Sequence, residues 1–422
     1  MRTKAAVLKG KKSIEIRDFE LPQIGPNELL VKNISNSICL STFKAAKLGE
    51  DHFRVPPNIA EKPIITGHEF AGIIVEVGTN LVNQFKPNQR FVLQPAMGLD
   101  TGYSAGYSYE YFGGNATYCI IPIEAIERDC VLSLEDDYFA NGSLAEPMSC
   151  IIGAYNASYH TKPYIYKHDM GIKDGGKLAL LGSAGPMGLG AISYALCSKN
   201  KPELVVVTDI DQGRLDRAKR LITPESAMAL GITLVYLNAS QEDAFDQMME
   251  LSNNQGFDDV FVFSAISKLI EQADDLLGQD GCLNFFAGPT DKKFKVPFNF
   301  YDVHYTSTHI VGTSGGSKDD MKESLTLSAS NKINPSYMLT HIGGINAVPK
   351  TIINLDTFIS GKIMIYPHIE MELTSIEDIV NGKVEGEVFK GLKTILKNNN
   401  EIWSKEAEKY LLDFYNVSVT IG

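Results

Sequence analysis

The segment KLALLGSAGPMGLGAISYALC, residues 177–197, constrains the fold of this 422-residue chain most strongly. It runs from an apolar stretch through a glycine-rich turn into a second apolar stretch, which is typical of a strand, a turn and a helix. Further short apolar runs follow up to about residue 313, and helical patterns such as GRLDRAKRLI separate several of them. Apolar runs that lack alternation and are spaced by helices predict a parallel sheet of βαβ units.

The glycine-rich turn also predicts a dinucleotide site. The spacing G-x-G-x-x-G falls on Ser183, Gly185 and Gly188, so serine takes the place of the first glycine. Bare backbone in such a turn lets a pyrophosphate approach the N-terminus of the following helix. The alternative is a glycine-rich turn that binds no ligand. The predicted cofactor-binding residues of the turn are Gly182, Ser183, Gly185, Pro186, Met187 and Gly188.

An acidic residue follows at the spacing that this kind of site requires. The run LVVVTD ends in Asp209, 21 residues beyond Gly188. A carboxylate there accepts hydrogen bonds from the ribose hydroxyls and repels a 2′-phosphate. We therefore predict that Asp209 binds the cofactor and that NAD(H) is preferred. Arg214 is a further candidate contact that would weaken this preference, so NADP(H) stays possible.

Composition narrows the functional classes. Acidic residues outnumber basic ones by 51 to 39, and the formal charge of −12 argues against a nucleic-acid surface. The N-terminal stretch MRTKAAVLKGKKSIEI has no apolar core of signal-peptide length, and no run in the chain approaches the length of a membrane span. The six cysteines are spread thinly and form no CxxC pair, so we expect reduced thiols in a cytoplasmic protein. Residues 1–150 contain short β-type segments broken by turn residues, which predicts a barrel-like β domain.

A second candidate site lies in that β domain. His68 and Glu69 stand in the turn ITGHEFAG, directly before an apolar run, and burying them without partners is unfavourable. A metal ion, a helix cap or a surface turn would each resolve this. Cys39 ends a predicted strand, and Glu146 lies in SLAEPMSC, which we interpret as a loop. Thiolate, imidazole and carboxylate suit a zinc ion with one open position. The alternative is that these are unrelated core or surface residues.

The motifs together resemble a known family. ITGHEFAGIIVEVG resembles the G-H-E-x-x-G signature of the zinc-dependent medium-chain alcohol and polyol dehydrogenases. The order of Cys39, GGNATYCIIP, AEPMSC, GSAGPMG and VVTDID also resembles that family over nearly the whole chain. The resemblance implies a GroES-like β-barrel catalytic domain with an inserted Rossmann domain. We expect the catalytic domain at 1–150, the Rossmann domain at 151–315, and a return to the catalytic domain with a C-terminal helical extension at 316–422.

The resemblance also implies a metal site. Cys39 and His68 match the zinc ligands of the family, and Glu69 matches a glutamate that binds the metal or stands beside it. Glu146 matches a glutamate of the polyol branch, so the metal candidates are Cys39, His68, Glu69 and Glu146. The stretch 94–115 has no cysteine and therefore lacks the structural zinc lobe of the family, which implies one zinc ion per chain.

The resemblance implies catalytic roles for residues near Cys39. Ser41 matches the hydroxyl that passes the substrate proton. Lys44 replaces a histidine that ends the proton relay in many members, and its ammonium group serves that role or contacts a substrate phosphate. Thr42 replaces the aspartate that orients the histidine ligand, so we expect that support to come from elsewhere.

Within the polyol branch, the chain resembles L-sorbose-1-phosphate reductases most. This implies reversible hydride transfer between nicotinamide and a sugar, polyol or sugar-phosphate carbonyl, in a homodimer or homotetramer. His52 and Arg54 are, with Lys44, the nearest basic candidates for contact with a phosphate. Two alternatives stay open: a general polyol dehydrogenase with no phosphate requirement, and a nucleotide-binding scaffold or sensor that has lost catalysis.

Overall fold

A computed structural model describes residues 1–162, 164–357 and 361–421. The chain divides into two compact units. The first comprises Met1–Glu146 and Leu339–Gly422, and the second comprises Pro147–Met338. The return to the first unit therefore comes at Leu339 and not at residue 316 as predicted from the sequence. The helix after residue 316 belongs to the second unit, where Glu323 accepts a hydrogen bond of 2.8 Å from the Tyr194 hydroxyl.

Strands and helices follow one another along both units. The strands are β1 (Arg2–Gly10), β2 (Ser13–Glu20), β3 (Leu29–Ile38), β4 (Ile64–Ile65), β5 (Glu69–Val77), β6 (Arg90–Leu93), β7 (Tyr118–Ile121), β8 (Val131–Ser133), β9 (Tyr159–Lys162), β10 (Ile165–Met170), β11 (Lys177–Leu181), β12 (Leu204–Asp209), β13 (Thr233–Asn238), β14 (Phe257–Val262), β15 (Leu277–Phe285), β16 (His309–Val311), β17 (Leu339–Gly344), β18 (Lys362–Tyr366) and β19 (Thr374–Ser375). The helices are α1 (Leu40–Leu48), α2 (Ile123–Ile126), α3 (Phe139–Ala157), α4 (Pro186–Ala195), α5 (Gln212–Leu221), α6 (Pro224–Met228), α7 (Ala244–Leu251), α8 (Ser267–Asp275), α9 (Phe300–Tyr305), α10 (Lys318–Ala329), α11 (Val348–Ile353), α12 (Ile376–Asn381), α13 (Glu387–Asn398) and α14 (Lys405–Phe414).

The first unit is built on β-sheets, as the sequence predicted. Its larger sheet has the order β19-β17-β18-β3-β5-β6-β8, with β7 also paired to β3, and its smaller sheet has the order β2-β1-β4. Aromatic side chains fill part of the core: the Phe70 ring packs edge-on against Phe91 and Phe112, with centroid distances of 6.0 and 6.1 Å. Strand β18 lies far along the chain yet pairs directly with β3, so both ends of the chain build this unit.

The second unit contains the predicted parallel sheet. Its order is β13-β12-β11-β14-β15-β16, and all neighbouring strands are parallel. In order of appearance this is 3-2-1-4-5-6, the strand order of a dinucleotide-binding Rossmann sheet. Buried aliphatic residues such as Val206, Val260 and Leu283 form the core. The glycine-rich turn lies between β11 and α4, at the carboxyl end of the first strand, where ligands bind in such sheets.

Helix α3 corrects one prediction. Glu146 lies inside this 19-residue helix and not in a loop, and Pro147 lies inside the helix as well. The helix is buried on most of its sides, so its sequence lacks the polar face that reveals a surface helix. Its N-terminus is fixed by Glu408 of α14, whose carboxylate accepts the backbone N–H groups of Phe139 and Ala140 at 2.7 and 2.9 Å.

The C-terminal helices are part of the first unit. Trp403 is buried, and its Nε1 donates a hydrogen bond of 2.8 Å to the Tyr366 hydroxyl. That hydroxyl in turn donates to Glu408 at 3.0 Å. The C-terminal segment is thereby joined to the end of β18 and to the start of α3. Among the helices of the described ranges, none is both long and apolar enough to cross a membrane.

Candidate active site

Three adjacent strands bring distant residues to one edge of the larger sheet. Cys39 directly follows β3, Glu69 begins β5, and Lys362 begins β18. The pairings Ser37 with Glu69, and Ile38 with Ile363, place these strand ends side by side. This register brings together residues that are far apart in the sequence: Cys39 and Glu69, and Glu69 and Lys362.

The turn before β5 needs a glycine. Gly67 has a φ of +89°, and a Cβ atom there would lie 2.8 Å from the backbone nitrogen of Asn115. A side chain would therefore be strained and would collide with the neighbouring segment. The glycine lets the chain turn sharply, so that His68 faces the end of β3.

The predicted metal ligands converge. The Cys39 sulfur, a His68 ring nitrogen and a Glu69 carboxylate oxygen all lie within 4.8 Å of one another. His68 and Glu69 are 4% and 0% exposed, whereas Cys39 keeps partial exposure, so the group is accessible from one side. Sulfur, nitrogen and oxygen donors in one buried group fit a zinc ion that keeps a position open for substrate.

The His68 ring is oriented by Thr42. The Thr42 hydroxyl lies 3.3 Å from Nδ1, so the other nitrogen, Nε2, is left on the side of Ser41 and Tyr107. Our expectation that this support comes from a residue other than Thr42 is therefore wrong. Burial lowers the pKa of His68, which favours the neutral imidazole that binds metals.

Glu69 is held by a lysine that was not predicted from the sequence. The Lys362 ammonium donates to both carboxylate oxygens at 2.5 Å, and the Ser37 hydroxyl donates as well. Burial alone would raise the pKa of Glu69, but the charge of Lys362 keeps it below its ordinary value. The only local signal was a lysine at the start of the apolar run KIMIY, and nothing in that run indicates its partner.

Glu146 is not among the three residues whose donor atoms lie within 4.8 Å of one another, but it interacts with them electrostatically. Burial, and then the negative charge of Glu69, raise the pKa of Glu146 to about 8, while His68 opposes the shift. The carboxyl group is thus within electrostatic reach of the ligands. The structure brings Cys39, His68 and Glu69 together, and Glu146 interacts electrostatically with all three.

A pair of hydroxyl groups adjoins the ligands. Ser41 donates to the Cys39 sulfur at 3.0 Å, and the Tyr107 hydroxyl donates to Ser41 at 2.7 Å. Tyr107 is buried, and its ring centre lies 4.8 Å from that of His68. Tyr107 was not predicted from the sequence, because the only feature recognised in 94–115 was the missing structural zinc lobe. Lys44 lies three residues after Ser41 in α1, on the same partly exposed side.

The predicted glycine turn has the geometry of a phosphate cradle. Gly182 has a φ of +64°, and a Cβ atom at Gly188 would overlap the carbonyl oxygen of Ser183. At Gly185, which precedes α4, a Cβ atom would meet nothing within 4 Å. The turn is therefore closed on the side of the sheet and open at Gly185, where backbone and ligand can meet. The Ser183 hydroxyl is used internally, in a bond of 2.7 Å to the Leu180 carbonyl.

Asp209 lies over this turn. Its carboxylate accepts the backbone N–H groups of Ala184 and Asp211, each at 3.1 Å. The structure thus joins the end of β12 to the glycine turn. Arg214, the other residue predicted near the ribose, lies beside Asp211: its Nε is 3.9 Å from the Asp211 carboxylate. Pro186 and Met187 form the partly exposed first turn of α4.

Comparisons with known proteins identify the family of both units. Residues 25–146 match the alcohol dehydrogenase GroES-like domain, and residues 186–330 match the zinc-binding dehydrogenase domain. A mannitol-1-phosphate 5-dehydrogenase of Aliivibrio fischeri is 60% identical over 421 residues and is covered, like this chain, to 100%. The chain belongs to the zinc-dependent medium-chain dehydrogenase family. An L-sorbose 1-phosphate reductase of Klebsiella pneumoniae is 43% identical, with 97% of each chain covered.

The fold of this dehydrogenase is also that of solved relatives. The structure of 2R,3R-butanediol dehydrogenase from Bacillus subtilis matches with a TM-score of 0.68 at 21% identity, covering 86% of this chain and 99% of that one. The predicted family is confirmed, and so is its fold class, a GroES-like barrel with an inserted Rossmann domain. The protein is an oxidoreductase of a family that uses zinc and a nicotinamide cofactor.

Proposed function

We propose that this dehydrogenase transfers hydride reversibly between a nicotinamide cofactor and a carbonyl carbon of a six-carbon sugar phosphate. The proposal rests chiefly on the Cys39, His68 and Glu69 group, in a chain similar over its full length to enzymes named for mannitol 1-phosphate and L-sorbose 1-phosphate. Both compounds have six carbons and a phosphate on a terminal carbon. We assign the same substrate class here, with the corresponding hexitol phosphate as the reduced partner.

Cys39, His68 and Glu69 would hold the zinc ion, with Glu146 as a second carboxyl group beside it. When bound, zinc supplies Lewis-acid stabilisation of the negative charge that develops on the substrate oxygen, and the nicotinamide supplies or accepts the hydride. Lys362 keeps Glu69 ionised through the ion pair described above.

The proton is handled by side chains next to Cys39. In the reducing direction, the Ser41 hydroxyl gives its proton to the substrate oxygen. Tyr107 fixes the position of that hydroxyl by its hydrogen bond of 2.7 Å. Ser41 then regains a proton from the exposed side of α1, where we assign Lys44 to the outer end of the path. A proton at Ser41 is thus replaced without a strong base inside the site.

We propose NAD(H) as the preferred cofactor, with NADP(H) as the weaker alternative. Asp209 supports this preference, because its fixed carboxylate at the end of β12 suits ribose hydroxyls and repels a 2′-phosphate. The Arg214 guanidinium lies close to Asp211, which counters its charge. We propose one zinc ion per chain, which the lack of cysteine in 94–115 supports.

The setting and assembly are proposals as well. All six cysteines are free, which supports a reducing compartment such as the cytoplasm. The resemblance to the family supports a homodimer or homotetramer, and light scattering with size-exclusion chromatography would measure it.

A substrate panel tests the function. Initial rates with NADH and with NADPH are compared for L-sorbose 1-phosphate, fructose 6-phosphate, tagatose 6-phosphate and the unphosphorylated ketoses. We expect kcat/KM to be highest for a ketose phosphate with NADH. Equal kcat/KM values with and without phosphate would reject the sugar-phosphate assignment and favour a general polyol dehydrogenase.

A further inference from the structure

The aromatic ring of Tyr107 lies between a predicted metal ligand, His68, and an arginine, Arg54. The Tyr107 ring lies 4.8 Å from the His68 ring on one side, and the Arg54 guanidinium carbon lies 5.2 Å from the Tyr107 ring centre. The guanidinium is therefore no more than about 10 Å from the ring of a predicted metal ligand. It is also 5.1 Å from the Phe53 ring, so aromatic faces hold its position.

Arg54 has a donor without a partner. Its Nε is buried and forms no hydrogen bond, and no carboxylate within the described ranges forms an ion pair with its guanidinium. The protein therefore does not use the full hydrogen-bonding capacity of this guanidinium, and the side chain as a whole is partly exposed to a ligand. A guanidinium presents a planar fork of donors that matches the oxygens of a phosphate group.

The backbone around Arg54 is fixed. Its N–H donates to His52 Nδ1 at 3.3 Å, and its carbonyl accepts from the Ser108 hydroxyl at 2.6 Å. The His52 ring stacks on Tyr107, with centres 5.9 Å apart and planes 9° apart. The guanidinium is thus presented from a held segment and not from a loose loop, which lowers the entropy lost when a ligand binds.

Two cationic side chains act on His52, in a protein of net charge −12. Burial, and then the charges of Arg54 and Lys44, lower the pKa of His52 to about 4. Both cations therefore act on the same small region, and His52 itself stays neutral at physiological pH. This region adjoins Tyr107 and the α1 side that carries Ser41, close to where the substrate oxygen would be.

We propose that Arg54 binds the phosphate group of the substrate. This inference rests on the proposed function, since it takes a sugar phosphate as the substrate. Because the Arg54 guanidinium is no more than about 10 Å from the His68 ring, a phosphate at Arg54 and a carbonyl oxygen at the metal ligands can belong to one sugar phosphate. Arg54 therefore selects phosphorylated over unphosphorylated sugars and fixes which carbonyl carbon reaches the metal centre.

The test compares Arg54→Gln with Arg54→Lys and with a control, Arg2→Gln. Arg2 is exposed at the start of β1, and its replacement removes the same charge. In the zinc-loaded enzyme, we expect Arg54→Gln to raise KM for the preferred ketose phosphate about 10- to 100-fold, the effect typical of a lost charged hydrogen bond. Arg54→Lys keeps the positive charge but lacks the planar set of donors, so its KM should lie between those of the wild type and of Arg54→Gln. Arg2→Gln should match the wild type.

A binding measurement accompanies the kinetics. Inorganic phosphate should raise the melting temperature of the wild type and of Arg2→Gln, and this rise should be lost in Arg54→Gln. Zinc content, measured for every variant, should stay at the wild-type level. If Arg54→Gln is too unstable to measure, Arg54→Lys provides the test, because it keeps the positive charge and lacks the planar set of donors.

The outcomes separate the two proposals. If the wild type does not distinguish phosphorylated from unphosphorylated ketoses, the proposed function itself fails. If the wild type prefers the phosphate and Arg54→Gln keeps both that preference and the phosphate-induced stabilisation, only the role of Arg54 is overturned. A loss of preference confined to Arg54 variants supports the phosphate site.

Discussion

Lys362 determines how Glu69 can serve a metal centre. An ionised carboxylate with 0% exposure is unfavourable unless it is paired, and the Lys362 ammonium is its cationic partner, at 2.5 Å from both oxygens. A carboxylate offers about four lone pairs, so the ion pair still leaves an acceptor site free for a metal. Lys362 thus fixes the ionisation state and the position of Glu69 without taking part in the reaction.

Replacing Lys362 tests this pairing. We expect Lys362→Met to lower the free energy of unfolding by about 3 kcal/mol, because it leaves a buried charge unpaired. The double variant with Glu69→Gln should lose less than Lys362→Met alone. Urea unfolding of chelator-treated protein measures this, so that metal loss does not contribute. Lys4→Met is the control: it breaks an equally short pair with Glu370 that is largely exposed, and should cost less than about 1 kcal/mol. Equal losses for Lys362→Met and Lys4→Met would contradict the prediction.

At the scale of elements, two glycines in one turn serve different purposes. Gly188→Ala should destabilise the fold by about 2 kcal/mol, because its Cβ atom would overlap Ser183 and force α4 away from the sheet. Gly185→Ala meets open space and should keep wild-type stability, yet weaken NADH binding about tenfold, because its methyl group fills the position of the phosphate. Thermal melting and NADH fluorescence titration measure the two effects. Normal NADH affinity in Gly185→Ala would show that phosphate does not bind there.

Helix α3 depends on Glu408 in a pH-dependent way. Burial raises the pKa of Glu408 to about 8, although the N–H groups of Phe139 and Ala140 and the Tyr366 hydroxyl lower it. An acid whose pKa is higher in the folded than in the unfolded state holds more protons when folded, so stability falls as the pH rises from its ordinary value toward 8. Its contribution is complete below the ordinary value and is lost above about pH 8.

Glu408→Gln should therefore flatten the pH profile. At pH 5 we expect the melting temperature of Glu408→Gln to be below that of the wild type, because glutamine has one acceptor oxygen fewer for the N–H groups at the start of α3. By pH 8.5 we expect this difference in melting temperature to narrow or reverse. Fluorescence of Trp403, the single tryptophan, reports on the same network. Glu406→Gln, on an exposed position of the same helix, should follow the wild type. A wild-type profile that is parallel to that of Glu408→Gln would argue against this account.

Local patterns predicted more of this molecule than distant pairings did. The parallel sheet and the glycine turn could be predicted because their residues are neighbours in sequence, and so could the His68 and Glu69 turn. Lys362 and Tyr107 could not be predicted, because only the register of β18, β3 and β5 and the course of 94–115 bring them to Glu69 and Ser41. Helix α3 was missed because burial on most sides removes the periodic polar face that reveals helices.

At the scale of the whole molecule, the two candidate sites lie in different units: the metal residues in the first, and the glycine turn with Asp209 in the second. Each unit has its own core, so loss of the metal should leave the dinucleotide turn intact. We therefore expect that the metal and the cofactor can each be removed without loss of the other.

Chelation should therefore separate turnover from cofactor binding. After treatment with a strong zinc chelator, and equally in Cys39→Ser, we expect turnover below about 1% of the wild type, because the charge developing on the substrate oxygen is no longer stabilised. The Kd for NADH should stay within about threefold of the wild-type value.

Asp209→Ala should show the reverse, with zinc content retained and NADH binding weakened. Cys197→Ser, which removes a thiol of the second unit, should keep both properties. Full turnover in metal-free protein would remove the basis for assigning Cys39, His68 and Glu69 to catalysis, and joint loss of NADH binding would show that the two units do not act separately.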